Sequence, residues 1–276
     1  IGFTWFSKPD PTQSPAPSPQ DTTQLVTQAP APAAGATVAD SASLDSLGAP
    51  VLPPYLQPAQ ERIVELKNEK LSVKLSTKGG APVEAVLADY LDQSKKPVHL
   101  FRKGDARLDL PLRTLENRLV STADANFSVV ESTDSTAVLR MQIDDVAYLD
   151  YAYKLRPADY RVDLVIHGHE LRRFLPVNIA LQDIEWTQRI PQQEQSWKFE
   201  GQYSGVYYHF PQGDVDRLET TSESSEDVQE TLRWVAFKDK YFSSALIASA
   251  TGFKDNKLSI KAAKEGSGYV RDCSFK

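Results

Sequence analysis

The sequence is poor in cysteine and lacks the clustered basic charge that nucleic acid binding requires. Its 276 residues contain one cysteine, Cys273, which excludes an intrachain disulfide framework and a multi-cysteine metal site. Acidic residues outnumber basic residues by 37 to 31, and the formal net charge is −6. Because proteins that bind nucleic acid neutralise phosphates with grouped Lys and Arg, we predict no nucleic acid partner.

Basic residues are also absent between Lys8 and Arg62, and this same segment is rich in proline. Eleven of the 18 prolines precede residue 59, and no apolar periodicity runs through the segment. Such a composition cannot bury enough apolar surface to offset the entropy of ordering the chain. We therefore predict that residues 9–58 form a flexible Pro/Ala/Ser-rich linker. A cation-free linker beside an apolar stretch is compatible with export across a membrane.

The chain opens with an apolar, aromatic run, Ile1–Phe6, followed by Ser7 and Lys8. Six residues cannot cross a bilayer, which takes about 20 apolar residues. An aromatic edge that meets polar residues is typical of a membrane span reaching water. We expect residues 1–8 to be the end of a transmembrane helix that lies upstream. An apolar N-terminal strand and a cloning remnant are the alternatives.

From residue 59 to residue 276 the pattern changes to short segments with a period of two. Leu71, Val73 and Leu75 alternate with polar residues, as in a strand with one face on a core and the other in solvent. The clearest hairpin joins residues 149–155 to residues 160–166 through a turn that contains Pro157 and Asp159. The predicted strands are 62–66, 69–76, 83–88, 97–101, 126–131, 137–143, 149–155, 160–166, 204–210, 232–237, 240–248 and 257–262.

Helical patterns are scarce, so the predicted fold is all-β. Gly79 and Gly80 are expected to form a tight turn after a strand. Ser224–Asp227 has the spacing of a capping box and predicts either a short helix through Leu232 or a solvated loop. A parallel sheet is disfavoured because its crossovers usually need helices. We predict a large twisted antiparallel β-sandwich over residues 59–276.

The sequence has few signals of catalysis. His167 and His169 are two residues apart on a strand, so a two-ligand metal site is geometrically possible, but we interpret them as a polar strand end and predict no metal site. Adjacent acids such as Asp144 and Asp145 would form an acid–base pair only if folding placed them at catalytic distance. No nucleophile elbow or dinucleotide fingerprint is present. We predict no enzyme activity and no cofactor.

Aromatic residues are concentrated between positions 197 and 210. Tyr and Trp offer stiff, amphipathic surface that can hold an extended peptide or a sugar ring. Sheet packing is the alternative explanation for the same residues. The candidate binding residues of this aromatic groove are Trp197, Tyr203, Tyr207, Tyr208 and Phe210.

Two stretches carry a resemblance to a known family. They are VELKNEKLSVKLSTKGGAP at 64–82 and WVAFKDKYF at 234–242. Together with the apolar opening and the linker, they resemble the large first periplasmic domain of bacterial YidC-type membrane protein insertases. No single motif is diagnostic, and the order of the parts carries the resemblance, which runs from Ile1 to at least Ile247.

The resemblance implies a supersandwich related in shape to galactose mutarotases. It also implies a location at the bacterial inner membrane, with the domain facing the periplasm and anchored through an upstream helix. The expected partners are nascent membrane proteins and Sec translocon subunits, and the expected role is that of a non-catalytic scaffold or chaperone-like module. Trp234, Tyr241 and Phe242 match a family stretch, where we expect core packing. The family's domain would continue beyond Lys276, so we expect residues 59–276 to be a domain truncated at its C-terminus.

A mutarotase-like carbohydrate-binding or sugar-epimerising domain is the alternative function. Epimerisation at an anomeric carbon needs a positioned general acid and a general base in one cleft. Whether His169 or His209 shares a pocket with a carboxylate distinguishes the two functions.

Overall fold

The computed structural model describes residues 52–176, 183–218, 222–249 and 251–276. The predicted end of a membrane helix, residues 1–8, and most of the predicted linker lie outside the described residues. Residues 52–58 of that linker are described, and they include a 3₁₀ turn at Pro54–Leu56. Tyr55 is buried in this turn against the first core. The packed part of the chain therefore begins before the predicted boundary at residue 59.

The first two sheets are antiparallel meanders of four strands each. The first has the order β1-β2-β3-β4 and the second the order β11-β10-β9-β8. Their strands are β1 (Ile63–Lys67), β2 (Leu71–Ser76), β3 (Pro82–Leu91), β4 (Pro97–Phe101), β8 (Ser128–Ser132), β9 (Thr136–Gln142), β10 (Tyr148–Leu155) and β11 (Val162–His169). A two-stranded sheet of β6 (Pro111–Arg113) and β7 (Leu119–Ser121) lies between them in the sequence.

The other two sheets combine strands that are distant in sequence. One has five strands in the order β15-β18-β19-β12-β5, and the other has four in the order β14-β13-β16-β17. Their strands are β5 (Ala106–Asp109), β12 (Glu185–Pro191), β13 (Gly205–His209), β14 (Val215–Arg217), β15 (Glu223–Val228), β16 (Trp234–Lys238), β17 (Ser243–Ile247), β18 (Asn256–Ala262) and β19 (Tyr269–Phe275).

Turns between strands are fixed by short polar side chains and by glycine. The Asn68 side chain accepts hydrogen bonds from the backbone N–H groups of Lys70 and Leu71, which turns β1 into β2. Gly79 and Gly80 both have positive φ, and a Cβ at Gly79 would lie 2.8 Å from the Ala123 carbonyl oxygen. The predicted tight turn is confirmed.

Two hydrophobic cores fill the molecule. The first is built from β1–β4, β6 and β8–β11, and it includes the fully buried Leu139 and Tyr151. The second is built from β12, β13 and β15–β19. In the second core the rings of Trp186 and Phe237 stack with their centroids 3.8 Å apart, which joins the five-stranded sheet to β16. Two packed cores between antiparallel sheets are the arrangement of a β-sandwich.

The predicted all-β antiparallel fold is confirmed, because every pairing between named strands is antiparallel. The predicted hairpin is also confirmed, since β10 pairs with β11 along its whole length. The helix or loop predicted from Ser224 is wrong. Those residues form β15, because pairing with β18 along six residues outweighs a local capping signal. A short helix that the sequence did not reveal, α1 (Trp197–Gly201), is capped by the Ser196 side chain.

Candidate functional site

A cleft of about 830 Å³ lies where the two cores meet, and it is lined by strands from both. We call it the apolar cleft because its walls are aliphatic and aromatic side chains. Among them are Leu71, Leu87, Tyr90, Val162, Trp186 and Phe242. Its volume lies in the range of pockets that bind small molecules, about 300–1,000 Å³.

Arg107 is the one lining residue of the apolar cleft with a formal charge. Its guanidinium is already paired, at 3.1 Å from an oxygen of Asp109 and 3.0 Å from an oxygen of Asp124. Hydrogen bonding to Arg107 lowers the pKa of Asp124, so this pair is ionised at neutral pH. Neither a carboxylate nor a histidine is among the residues that line the cleft. The cleft therefore offers apolar surface and no acid–base pair.

The turn between β16 and β17 forms one wall of the cleft and is held by Asp239. One oxygen of this carboxylate accepts the backbone N–H groups of Tyr241 and Phe242, both at 2.6 Å. Burial raises the pKa of Asp239, and the two backbone hydrogen bonds oppose that rise. The carboxylate thus positions the aromatic wall from inside the fold.

Core packing was expected for Trp234, Tyr241 and Phe242, and this expectation is only partly met. Tyr241 is 59% exposed, and its hydroxyl donates to Glu194 at 2.7 Å. Phe242 is half-buried and packs against the first core. Trp234 is half-buried and stacks on His209 with ring centroids 5.4 Å apart. Core packing is thus wrong for Tyr241, because the turn held by Asp239 directs it to the cleft rim.

A second, polar cleft of about 720 Å³ lies on the outer face of the five-stranded sheet. A row of hydroxyl side chains crosses its floor, because four paired positions in neighbouring strands share one face. These residues are Ser225, Ser259, Ser274 and Thr187. The hydroxyls of Ser259 and Ser274 are 2.6 Å apart and bond to each other. These two hydroxyls therefore satisfy one another across the sheet.

The five residues of the predicted aromatic groove lie near one another in sequence but do not share one surface. Tyr207 and Tyr208 are neighbours in β13 and so point to opposite faces of their sheet. Tyr208 is buried in the second core, where Phe210 packs against its ring. Tyr203 is 45% exposed. Trp197 begins α1 and donates from its indole nitrogen to the Tyr269 carbonyl at 2.9 Å. None of the five lines the two clefts, and ligand binding by them stays a prediction.

His169 and His209, the histidines that a sugar epimerase would need in a pocket with a carboxylate, line neither of the two clefts. His169 stacks on Tyr148 with ring centroids 4.8 Å apart, and His209 stacks on Trp234. Within the described ranges, no group of three His, Cys, Asp or Glu side chains is placed to hold a metal ion. In the same ranges, no helix has the length and hydropathy of a membrane span.

One protein family matches most of the chain, including the strands that form the two cores. The model of the YidC periplasmic domain matches residues 63–274, which run from β1 to β19. The chain belongs to this family. A relative from Porphyromonas gingivalis ATCC 33277, named membrane protein insertase YidC, is 41% identical over the whole chain, which covers 45% of that protein. A Bacteroides fragilis protein of the same name is 33% identical over 78% of the chain, which covers 34% of it. The chain thus spans less than half the length of these relatives.

Two solved structures that are similar to this chain at low sequence identity are related to galactose mutarotases. A galactose mutarotase related enzyme from Lactobacillus acidophilus has a TM-score of 0.45 at 7% identity, over 78% of this chain and 84% of that one. A galactose mutarotase-like protein from Lactobacillus casei has the same TM-score at 11% identity, over 78% and 87% of the two chains.

Proposed function

We propose that this chain is the periplasm-facing, non-catalytic domain of a membrane protein insertase of the bacterial inner membrane. In this role it acts as a scaffold and chaperone-like module for nascent inner-membrane proteins, beside the Sec translocon. Two relatives named membrane protein insertase YidC, at 41% and 33% identity, support the assignment to an insertase. The observation that carries the scaffold role is the apolar cleft, whose single charged lining residue is already paired.

An apolar cleft suits the transient binding of hydrophobic segments. Burying one Leu, Val or Phe side chain contributes roughly 1.5–3 kcal/mol. The free energy gained by burying two or three such side chains would be offset in large part by the cost of lost translational freedom and of ordering the bound segment. Binding is then weak and reversible, as a module that hands substrates on to a membrane requires. Because the one charged lining residue, Arg107, is already paired, the preferred ligand is a neutral, apolar segment of polypeptide.

The test is site-specific crosslinking in the intact protein in cells. A photoreactive amino acid at Tyr90, which lines the cleft and is 44% exposed, should crosslink to a pulse-labelled nascent inner-membrane protein. The same group at Val130 is the control, because Val130 is 52% exposed on β8 and does not line the cleft. Equal crosslinking at the two positions would show that the cleft has no special role. Crosslinks from other surface positions to a Sec subunit would identify the second partner.

A further inference from the structure

Strand β17 forms an edge of its sheet and lacks the features that usually protect such edges. Exposed edges invite pairing with other chains, and proteins guard them with charged residues, proline or very short strands. Ser243–Ile247 contains neither charge nor proline. In the described part of the chain, every other edge strand longer than three residues carries at least one such residue: Glu65 in β1, Pro97 in β4, Arg107 in β5, Glu131 in β8, Asp163 in β11 and Glu223 in β15.

In the described part of the chain, the backbone groups of three β17 residues face its open side without a hydrogen-bond partner. The backbone N–H of Asp239 donates to the Phe242 carbonyl at 2.9 Å, and the backbone N–H of Ala248 donates to the Arg233 carbonyl at 3.0 Å. In an antiparallel pair, hydrogen-bonded positions alternate with non-bonded ones. The positions between 242 and 248 that bond to β16 are therefore the even ones. Ser243, Ala245 and Ile247 direct their N–H and C=O groups away from the sheet.

The open side of β17 borders the apolar cleft. Residues 243–246 are among those that line it, and three of these four are Ser or Ala. Small side chains allow another backbone to approach to the spacing between paired strands, about 4.8 Å. The Ser244 hydroxyl oxygen is buried and has no hydrogen-bond partner in the described part of the chain. This rim therefore combines backbone donors and acceptors with an adjoining apolar wall.

We propose that β17 accepts an extended apolar segment of a polypeptide substrate as an added antiparallel or parallel strand. The proposal rests on the function proposed above and specifies its binding mode. The backbone of the segment bonds to Ser243, Ala245 and Ile247, while alternate side chains enter the apolar cleft. A lipid acyl chain would fill the cleft equally well, but it has no groups to bond to the β17 backbone. The open edge therefore favours polypeptide over lipid.

The first experiment removes one outward N–H from the edge. Ala245→Pro does this in the intact protein, held in lipid nanodiscs, without removing a bond to β16. Ala245→Ser keeps the N–H and is the matched control. Ser225→Pro is the second control, because position 225 also faces outward on an edge strand, β15, away from the apolar cleft. The probe is a short fluorescent peptide of alternating leucine and threonine with lysine at both ends.

We expect Ala245→Pro to weaken binding of this peptide about tenfold, while both controls bind like the unmodified protein. Tyr90→Glu tests the cleft separately, since it places a charge in the apolar wall. Weaker binding in both Ala245→Pro and Tyr90→Glu supports the edge and the cleft together. Weaker binding in Tyr90→Glu alone overturns edge pairing and leaves the proposed function standing. Unchanged binding in both variants overturns both.

The second experiment leaves the protein unmodified, so it holds even if Ala245→Pro does not fold. N-methylation of alternate residues of the probe removes the donors along one of its edges. Two probes are compared, one N-methylated at the odd positions and one at the even positions. We expect one of them to lose binding and the other to keep it. Equal binding of both probes contradicts strand addition. A concentration-dependent dimer in sedimentation, with no binding of the probe, also contradicts it, because the edge would then pair with a second copy.

Discussion

Tyr90 on β3 and Phe242 beside β17 meet edge to face across the apolar cleft, with ring centroids 5.1 Å apart. Aromatic pairs in this geometry contribute about 0.5–1.5 kcal/mol beyond the area they bury. We expect a double-mutant cycle of Tyr90→Ala and Phe242→Ala, measured by urea denaturation, to give a coupling energy in that range. A cycle of Tyr90→Ala with Tyr203→Ala is the control, because the Tyr203 ring contacts Phe199 instead. Additive effects in the first cycle would show that the contact is energetically neutral.

The buried carboxylate of Asp239 should make stability depend on pH. Its pKa is raised by burial from a usual value of 3.8, so the folded state binds its proton more tightly than the unfolded state does. Its contribution is therefore most favourable below the unfolded pKa and is lost as pH rises through the folded pKa. Asp239→Asn keeps an oxygen that can accept both backbone N–H groups and does not titrate. We expect its free energy of unfolding to decline less than that of the parent between about pH 4 and pH 7.

Asp239→Ala separates the hydrogen bonds from the charge. It leaves the N–H groups of Tyr241 and Phe242 without their acceptor, and each loss costs about 1–3 kcal/mol if the group stays buried. We expect Asp239→Ala to be less stable than Asp239→Asn at every pH in urea denaturation. If the two variants unfold alike, the carboxylate does not hold the turn.

The single thiol should be chemically silent in the folded protein. Cys273 is 4% exposed on the central strand β19, and burial raises the pKa of its thiol. Because the thiolate is the reactive form, we expect no reaction with Ellman's reagent at neutral pH until denaturant is added. Cys273→Ala is the control for absorbance unrelated to the thiol. Rapid reaction of the native protein would mean that β19 opens readily.

Two tyrosines of the predicted aromatic groove should differ sharply in their effect on stability. Tyr208 is 1% exposed, and its hydroxyl donates to Glu226 at 3.0 Å, whereas Tyr203 is 45% exposed. Truncating a large buried aromatic ring costs about 3–5 kcal/mol, and an exposed substitution changes stability by about 0.5 kcal/mol or less. We expect Tyr208→Ala to lower the urea midpoint strongly and Tyr203→Ala to leave it nearly unchanged. Similar midpoints for the two variants would contradict the placement of Tyr208 in the core.

Local alternation was enough to predict many of the strands. Leu149, Tyr151, Tyr153 and Leu155 lie on one face of β10, and all four are buried. The turn that follows was also predictable, because proline and aspartate favour turns over strands. Signals of this kind depend only on residues that are close in sequence, so they predict a strand or a turn without knowledge of the tertiary structure.

The apolar cleft could not be predicted in this way. Leu71 and Leu246 line the same cavity, although 175 residues separate them in the chain, and each looks like an ordinary strand residue. The cavity depends on how the two cores are placed, which no local pattern encodes. The short helix α1 was missed for another reason, since five residues are too few for helical periodicity to show. The one local clue to the edge was the lack of charge in Ser243–Ile247.

The middle of the five-stranded sheet is completed by the last strand of the chain. β19 lies between β18 and β12, and β5, from the first half of the chain, forms one edge of the same sheet. During synthesis from the N-terminus, both four-stranded meanders can form before residues 269–275 are made, but the five-stranded sheet lacks its central strand until then. Because strands distant in sequence pair slowly, we expect the five-stranded sheet to form after the two meanders, with its apolar strands accessible to proteases in the meantime.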